Sequence, residues 1–198
     1  MLTTQEINRK LFHIVVGIIT VALIYYEILS PLAIFLLIII GTIISFLVKR
    51  VHIPIISWFL DHFERPEERH KFPGRGVIFF FVGVLLVLKL FDKDIALASI
   101  MILSLGDSVS HLFGAQFGQI KNIFNGKSKK LLEGTVIGTM TGFLGAMFFV
   151  PIPEAFLGSL IAMIAEVVQI DFNEQTVDDN LIVPLVAGTV MFLLRRFV

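Results

Sequence analysis

An all-α bundle of membrane-spanning helices is the fold class this sequence predicts, with about seven transmembrane helices and one short interfacial helix. Three observations predict it. Hydrophobic residues make up 56% of the 198-residue chain and charged residues 16%, and mean hydropathy is +0.90; ordinary globular domains are far less apolar. Apolar stretches approaching the roughly 20 residues of a membrane span recur along the chain. No apolar–polar alternation persists, which argues against a β-barrel. Residues 1–198 read as a single integral membrane domain, with no room for a separate soluble one.

The seven candidate spans run over Leu11–Tyr26, Pro31–Val48, Gly76–Phe91, Ile95–Phe117, Thr135–Val150, Ile152–Gln169 and Leu181–Phe197. The first and third are short and borrow flanking residues or tilt little. The first span is not followed by a small-residue cleavage site, so it reads as a retained helix. Between the second and third spans, Ile53–Phe63 carries Ile55, Ile56, Trp58, Phe59, Leu60 and Phe63. That segment is too short to span, and with Trp58 it reads as a helix lying in the membrane interface.

Charge sets an orientation. Twelve of the sixteen Lys and Arg fall before the first span, in Lys49–Arg75, or after the fourth span. The positive-inside rule places those segments in the cytoplasm; Arg195 and Arg196 at the far end of the last span fit it less well. Net charge is zero, so no global field favours a nucleic-acid partner. There are no cysteines, which excludes disulfides, thiolate metal sites and thiol redox chemistry.

With this topology the polar residues inside or beside the spans fall on one side. His13 lies early in the first span, Asp107, Ser108 and His111 in the fourth, Glu133 before the fifth, Glu166 and Gln169 at the end of the sixth, and Asp178, Asp179 and Asn180 before the seventh. An ionisable group inside a span costs about 2.5–3.5 kcal/mol on insertion scales, so it is kept for a partner or a function. Spacings of three and four put Ser104, Asp107, Ser108 and His111 on one helix face. Such an aspartate suits Mg²⁺ binding or deprotonation of an alcohol; the alternative is a hydrogen-bond cluster that joins helices. A hydrolytic Ser–His–Asp triad does not fit one helix face.

Other segments carry the same two-sided choice. Gly126-Lys127-Ser128-Lys129-Lys130 offers cations and a glycine to a triphosphate, or is plain positive-inside charge; the order of a Walker loop is absent. Pro73-Gly74-Arg75-Gly76 is a basic turn that closes over phosphates or ends a loop. Gly134, Gly138, Gly142 and Ala146 form a small-residue stripe whose role is close helix contact. Glu133 is a helix-dipole partner or a metal ligand. Asp178 and Asp179 are metal ligands, or Asp179 or Asn180 is only a helix cap. His13 and Glu166 are candidate lipid or phosphate contacts.

In this order the segments resemble the family of dolichol kinase, phytol kinase and CTP-dependent diacylglycerol kinase. Arg9-Lys10-x-x-His13-x-x-x-Gly17 looks like its opening motif and Pro73-Gly74-Arg75-Gly76 like its turn before a span. Gly106-Asp107-Ser108 through Gly114-x-x-x-Gly118 is similar to its central Gly-Asp motif, and Lys127 through Gly134 to its Lys-rich Glu-Gly motif. Glu166 with Asp178-Asp179-Asn180-Leu181-x-x-Pro184 is similar to its closing motif. Two departures stand out: His111 where the family usually has a small residue, and Leu131-Leu132 before the Glu-Gly pair. Both bear on substrate more than on reaction.

The resemblance implies Mg²⁺-dependent transfer of the CTP γ-phosphoryl group to a lipid alcohol (polyprenol or dolichol, a phytol-like alcohol, or diacylglycerol) at the cytoplasmic face. Asp107 is then the catalytic residue. Gly74, Arg75, Gly76, Lys127, Lys129, Lys130 and Asn180 bind the nucleotide. Asp107, Glu133, Asp178 and Asp179 bind metal, and His13, Ser108, His111 and Glu166 contact lipid or phosphate. The lipid tail enters through a slot open to the bilayer. A homodimer is an open possibility. The rival enzyme is a cytidylyltransferase that makes CDP-lipids, although its further Asp-x-x-Asp signature is absent. A small transporter is the rival of another class, but its sites lie at midplane in repeated, broken helices, and neither feature is visible here.

Overall fold

The computed structural model describes residues 3–64, 71–123, 130–168, 171–172 and 175–197. Helices occupy each of the seven expected spans: α1 Thr4–Tyr25, α2 Pro31–Val48, α4 Arg75–Leu90, a continuous helix Lys93–Phe117, α7 Leu132–Ala146, α8 Ile152–Val168 and α9 Asp179–Phe197. The expected interfacial segment forms α3, Pro54–Phe63. Four of the helices, α1, α2, Lys93–Phe117 and α9, are long and apolar enough to cross a membrane. Helices α4, α7 and α8 have 16, 15 and 17 residues, below the usual length of a straight crossing. A hairpin of two-residue strands, β1 Asp171–Phe172 and β2 Gln175–Thr176, joins α8 to α9.

Local chemistry explains the helix starts. Thr3 and Ser30 accept hydrogen bonds from the backbone N–H of Glu6 and Ala33 at 3.2 Å, each satisfying an otherwise orphaned donor. Pro31 and Pro54 stand in the first turns of α2 and α3, where the missing N–H costs nothing. Gly74 precedes α4 in the left-handed region, φ 75°, a conformation that favours glycine. Its N–H donates to Glu64 Oε1 at 2.7 Å, which ties the turn to the end of α3.

The helix Lys93–Phe117 is the axis of the bundle. Its most apolar window is 72% buried, against 11% for α2 and 28% for α1. Ile95, Ile100, Ile102 and Leu103 are fully buried, while Leu32, Phe35, Ile40, Ile43 and Phe46 of α2 face outward. That distribution suits a bundle in lipid, where an outward Leu or Phe costs nothing. Close approach of helices, not hydrophobic exclusion, must then supply cohesion. The stripe on α7 does this. Gly134, Gly138, Gly142 and Ala146 are all buried, and a Cβ on Gly138 would stand 2.6 Å from Ser110 Cβ and 2.8 Å from Gly106 O.

The axial helix is not uniform. It is α-helical over Lys93–Met101 (α5), widens into a π turn at Ile102–Asp107, and resumes as α6 over Ser108–Phe117. Such turns are rare and frequent at functional sites. The wider turn shifts the register of everything beyond it.

Two polar poles result. At one, Arg195 near the end of α9 pairs with Glu154 and Asp94, each at 2.8 Å, and Lys93 pairs with Glu27 at 2.9 Å. These carboxylates compensate Arg195, the cation that fits least well with the simple charge count. The opposite pole holds the candidate site.

Candidate active site

At that pole a cavity of about 720 Å³ opens among α1, α3, the turn before α4, the axial helix and the start of α9. Each element contributes by position. Near its start, α1 presents the adjacent Arg9 and Lys10, with His13 one turn on. The π turn ends on Asp107, and α6 then presents Ser110, His111 and Gly114. The expected single face Ser104–Asp107–Ser108–His111 is therefore not the face that lines the cavity. Ser104 is turned against Gly17 of α1, where a Cβ would come within 1.9 Å of its Oγ. Ser108 is fully buried behind the wall, and its hydroxyl has no hydrogen-bond partner among the described residues. The extra residue in the π turn is the physical reason: spacing rules for a regular helix do not carry through it.

Five charged side chains from five segments meet here. Lys10 Nζ donates to Asp107 Oδ2 at 2.5 Å, and both side chains are 8% exposed. Lys130 Nζ donates to Asp179 Oδ2 at 2.8 Å and also to Glu166 Oε1. Oxygen atoms of Asp107, Glu166 and Asp179 lie within 4.8 Å of one another. Burial disfavours the charge on Lys130, but the carboxylates of Glu166, Asp179 and Asp107 outweigh it and hold the ammonium above the ordinary lysine range. Glu166 is 1% exposed, and its Oε2 has no hydrogen-bond partner among the described residues. A buried, half-satisfied carboxylate of this kind needs a further cation or donor.

Around this centre the remaining sequence-derived candidates separate. Arg75 pairs with Asp178 at 3.2 Å and lies over the Phe79 ring. Asp178 also accepts from the Asn180 N–H at 3.1 Å and from its side-chain amide at 2.8 Å, so it caps α9. Gly74, Arg75, Gly76, Asp178, Asp179 and Asn180 all line the cavity. His13 lies edge-on to Phe80 at 5.1 Å, and His111 Nε2 stands 3.8 Å from Glu6 Oε1. Glu133 is not brought to the three carboxylates: it accepts from the backbone N–H of Gln119 and Ile120 at 2.9 and 3.0 Å. With the Leu132 N–H donating to Ile120 O, it joins the end of α6 to the start of α7 and so positions Lys130. Lys127, Lys129 and Gln169 lie outside the described residues.

Sequence reasoning gave no role to Lys10, although it stands in the opening motif one turn from His13. It grouped Glu166 with lipid or phosphate contacts, whereas the fold sets it among the carboxylates. Glu64 and Ser110, also at the cavity, had no signal beyond their polarity.

No protein-family model matches the chain, and no solved structure matches it. Among curated proteins, an uncharacterized protein of Methanocaldococcus jannaschii is 29% identical over 191 residues, covering 94% of this chain and 93% of its own length. CTP-dependent diacylglycerol kinase 1 of Saccharomyces cerevisiae is 26% identical over 228 residues, 96% of this chain and 73% of that protein. A probable chloroplastic phytol kinase of Zea mays is 32% identical over 142 residues, 66% of this chain and 46% of that protein. Relatives with these two names recur in several organisms. This integral membrane protein is related to the CTP-dependent diacylglycerol kinases and phytol kinases, the lipid-kinase family that its motifs resemble.

Proposed function

We propose that the chain transfers the γ-phosphoryl group of CTP to the hydroxyl of a membrane lipid alcohol at the cytoplasmic face. One observation carries the reading: Lys10, Asp107, Lys130, Glu166 and Asp179 converge at a cavity whose other wall is apolar. Phosphoryl transfer needs little covalent chemistry from a protein; positioning and charge stabilisation supply most of the rate. The buried Lys10 and the half-buried Lys130 beside three carboxylates provide both.

Mg²⁺ is the cofactor of this reading. The donor set fits, because it consists of carboxylate oxygens, which Mg²⁺ prefers, and because Glu166 Oε2 lacks a partner among the described residues. Asp107, Glu166 and Asp179 would hold the ion, whose chemistry there is to neutralise phosphate charge. Glu133 and Asp178, grouped with the ligands on sequence grounds, instead hold backbone at the ends of α6, α7 and α9.

The lipid oxygen attacks the γ-phosphorus, and its proton passes to the Asp107 carboxylate. The bond from that phosphorus to the β–γ bridging oxygen breaks, and CDP leaves with the electron pair. Lys10, Lys130 and Arg75 stabilise the charge on the phosphates; Lys127 and Lys129, just before Lys130 in the sequence, bind the nucleotide in the same proposal. Gly74 and Gly76 let backbone approach, and Asn180 contacts the nucleotide. The family names of the relatives support CTP as donor and a diacylglycerol or phytol-like acceptor. The excess of Lys and Arg at the site's pole supports the cytoplasmic orientation. The charged cluster is complete within one chain, so a homodimer is not part of the proposal.

The test is product analysis with purified protein in lipid nanodiscs, labelled CTP or ATP, and a panel of polyprenol, phytol-like alcohol and diacylglycerol. CDP with lipid phosphate supports the kinase. Pyrophosphate with CDP-lipid replaces it with a cytidylyltransferase, and nucleotide-independent uptake replaces it with a transporter. Asp107→Asn should abolish transfer in a folded protein; wild-type activity in that variant discards the role of Asp107.

A further inference from the structure

The cavity has two chemically distinct sides. Charged groups occupy one, around Lys10, Asp107 and Lys130; the other is a wall of Phe12 and Val16 from α1 with Phe59, Leu60 and Phe63 from α3. The three phenylalanine rings form a closed cluster: Phe12 lies 4.9 Å from Phe59 and 5.1 Å from Phe63, and Phe59 lies 4.9 Å from Phe63. We infer that this α1–α3 aromatic wall is the slot for the hydrocarbon chain of the membrane alcohol, and that acceptor specificity resides there. The inference rests on the lipid-kinase reading for the identity of the head group and extends it to the tail.

Three features favour a hydrocarbon chain as occupant. First, the apolar surface continues out of the cavity. On the next positions of the same two helices, Leu11 and Val15 of α1 and Ile55 and Trp58 of α3 are exposed, with Ile55 81% exposed. Helix α3 thus has an inner apolar face on the cavity and an outer one suited to the bilayer interface. A chain leaving the cavity along this wall would meet these apolar side chains. Second, the rings already lie edge-to-face or tilted, at 72° and 41° about Phe12. Phe59 and Phe63 are tilted by 32° with centroids only 4.9 Å apart, too close to admit a planar nucleobase between them, whereas an aliphatic chain needs only van der Waals contact. Third, His13 stands where the two sides meet, one residue from Phe12 and one turn from Lys10, with its Nε2 buried and without a hydrogen-bond partner among the described residues. A hydroxyl at the end of a chain in the slot would meet that nitrogen and Asp107 together.

Two measurements test this. In the first, a diacylglycerol and a long isoprenoid alcohol, each with a diazirine in its chain, are photocrosslinked to the wild-type protein in nanodiscs, with a phospholipid of the same diazirine chain as control. Labels on the cavity-lining Phe12, Val16, Phe59, Leu60 and Phe63 should appear for at least one alcohol, be competed by the unlabelled alcohol, and be absent with the phospholipid, which reaches only outward positions such as Leu11, Val15 and Trp58. Labels confined to α2 and other outward faces, or equal labelling by the phospholipid, overturn the slot. In the second, Phe12→Leu and Phe59→Leu should each lower kcat/KM for the long-chain alcohol about tenfold and leave the nucleotide KM within twofold. A raised nucleotide KM with an unchanged acceptor KM assigns the wall to the base instead, and no change in either also overturns the inference. If the labels map to the slot while the wild type transfers nothing from CTP, the slot stands and the kinase reading falls; transfer with labels elsewhere gives the reverse.

Discussion

Replacing Lys10 by methionine keeps most of the side-chain volume and removes one charge from a cluster of five. With Lys10, Lys130, Asp107, Glu166 and Asp179 all ionised, the cluster carries one net negative charge. Lys10→Met raises that to two, leaving Asp107 without its 2.5 Å partner in a place where both side chains are 8% exposed. Solvent screening is therefore slight, and breaking one side of such a buried pair costs about 3–5 kcal/mol. Asp107→Asn alone brings the cluster to zero and strands Lys10. The double variant restores one net negative charge and strands neither group. It should be more stable than the sum of the single changes implies, with a coupling of about 2 kcal/mol or more. Unfolding by SDS in mixed micelles, followed by helical circular dichroism and by the fluorescence of Trp58, the only tryptophan, measures all four proteins without requiring activity. Single effects that add to within about 0.5 kcal/mol would refute the buried pair and with it the convergence of α1 on the π turn.

Further outcomes follow from the same geometry. Gly138→Ala places a methyl 2.6 Å from Ser110 Cβ and 2.8 Å from a backbone oxygen, so α7 must move away from the axial helix; a loss of about 1–3 kcal/mol and a lower Tm are expected, and an unchanged Tm contradicts the close contact. Glu166→Gln should raise the Mg²⁺ concentration for half-maximal transfer at least tenfold, whereas Glu133→Gln should leave it within twofold and instead speed amide exchange at Gln119 and Ile120. An equal Mg²⁺ response in the two variants would contradict the proposed ligand set. Arg195→Met removes the links from α9 to Glu154 and Asp94. It should lower Tm while leaving the nucleotide KM unchanged, since it acts at the pole away from the cavity; a raised nucleotide KM with an unchanged Tm would contradict that separation.

Much of the architecture is legible in residue order because the solvent is lipid. A run such as Pro31–Val48 forms an outward-facing helix whatever its neighbours do, since backbone groups in hydrocarbon must bond within the segment. Caps and prolines mark helix starts locally, and the charged ends of helices announce where chemistry gathers. The stripe from Gly134 to Ala146 likewise declares a close contact without naming the partner. Partner and register are decided by tertiary structure. Nothing in Ile102–Asp107 signals a π turn, because an extra residue in a helical turn is stable only where neighbouring helices make room for it, here Gly17 and Gly138. That turn sends Ser108 into the interior and Asp107 to Lys10. The same holds for Glu166 and Glu133, two carboxylates of similar standing in the sequence. One is enclosed with Lys130 and Asp179 and the other holds two backbone amides, because only the arrangement of α6, α7, α8 and α9 in space determines which cation or N–H each can reach.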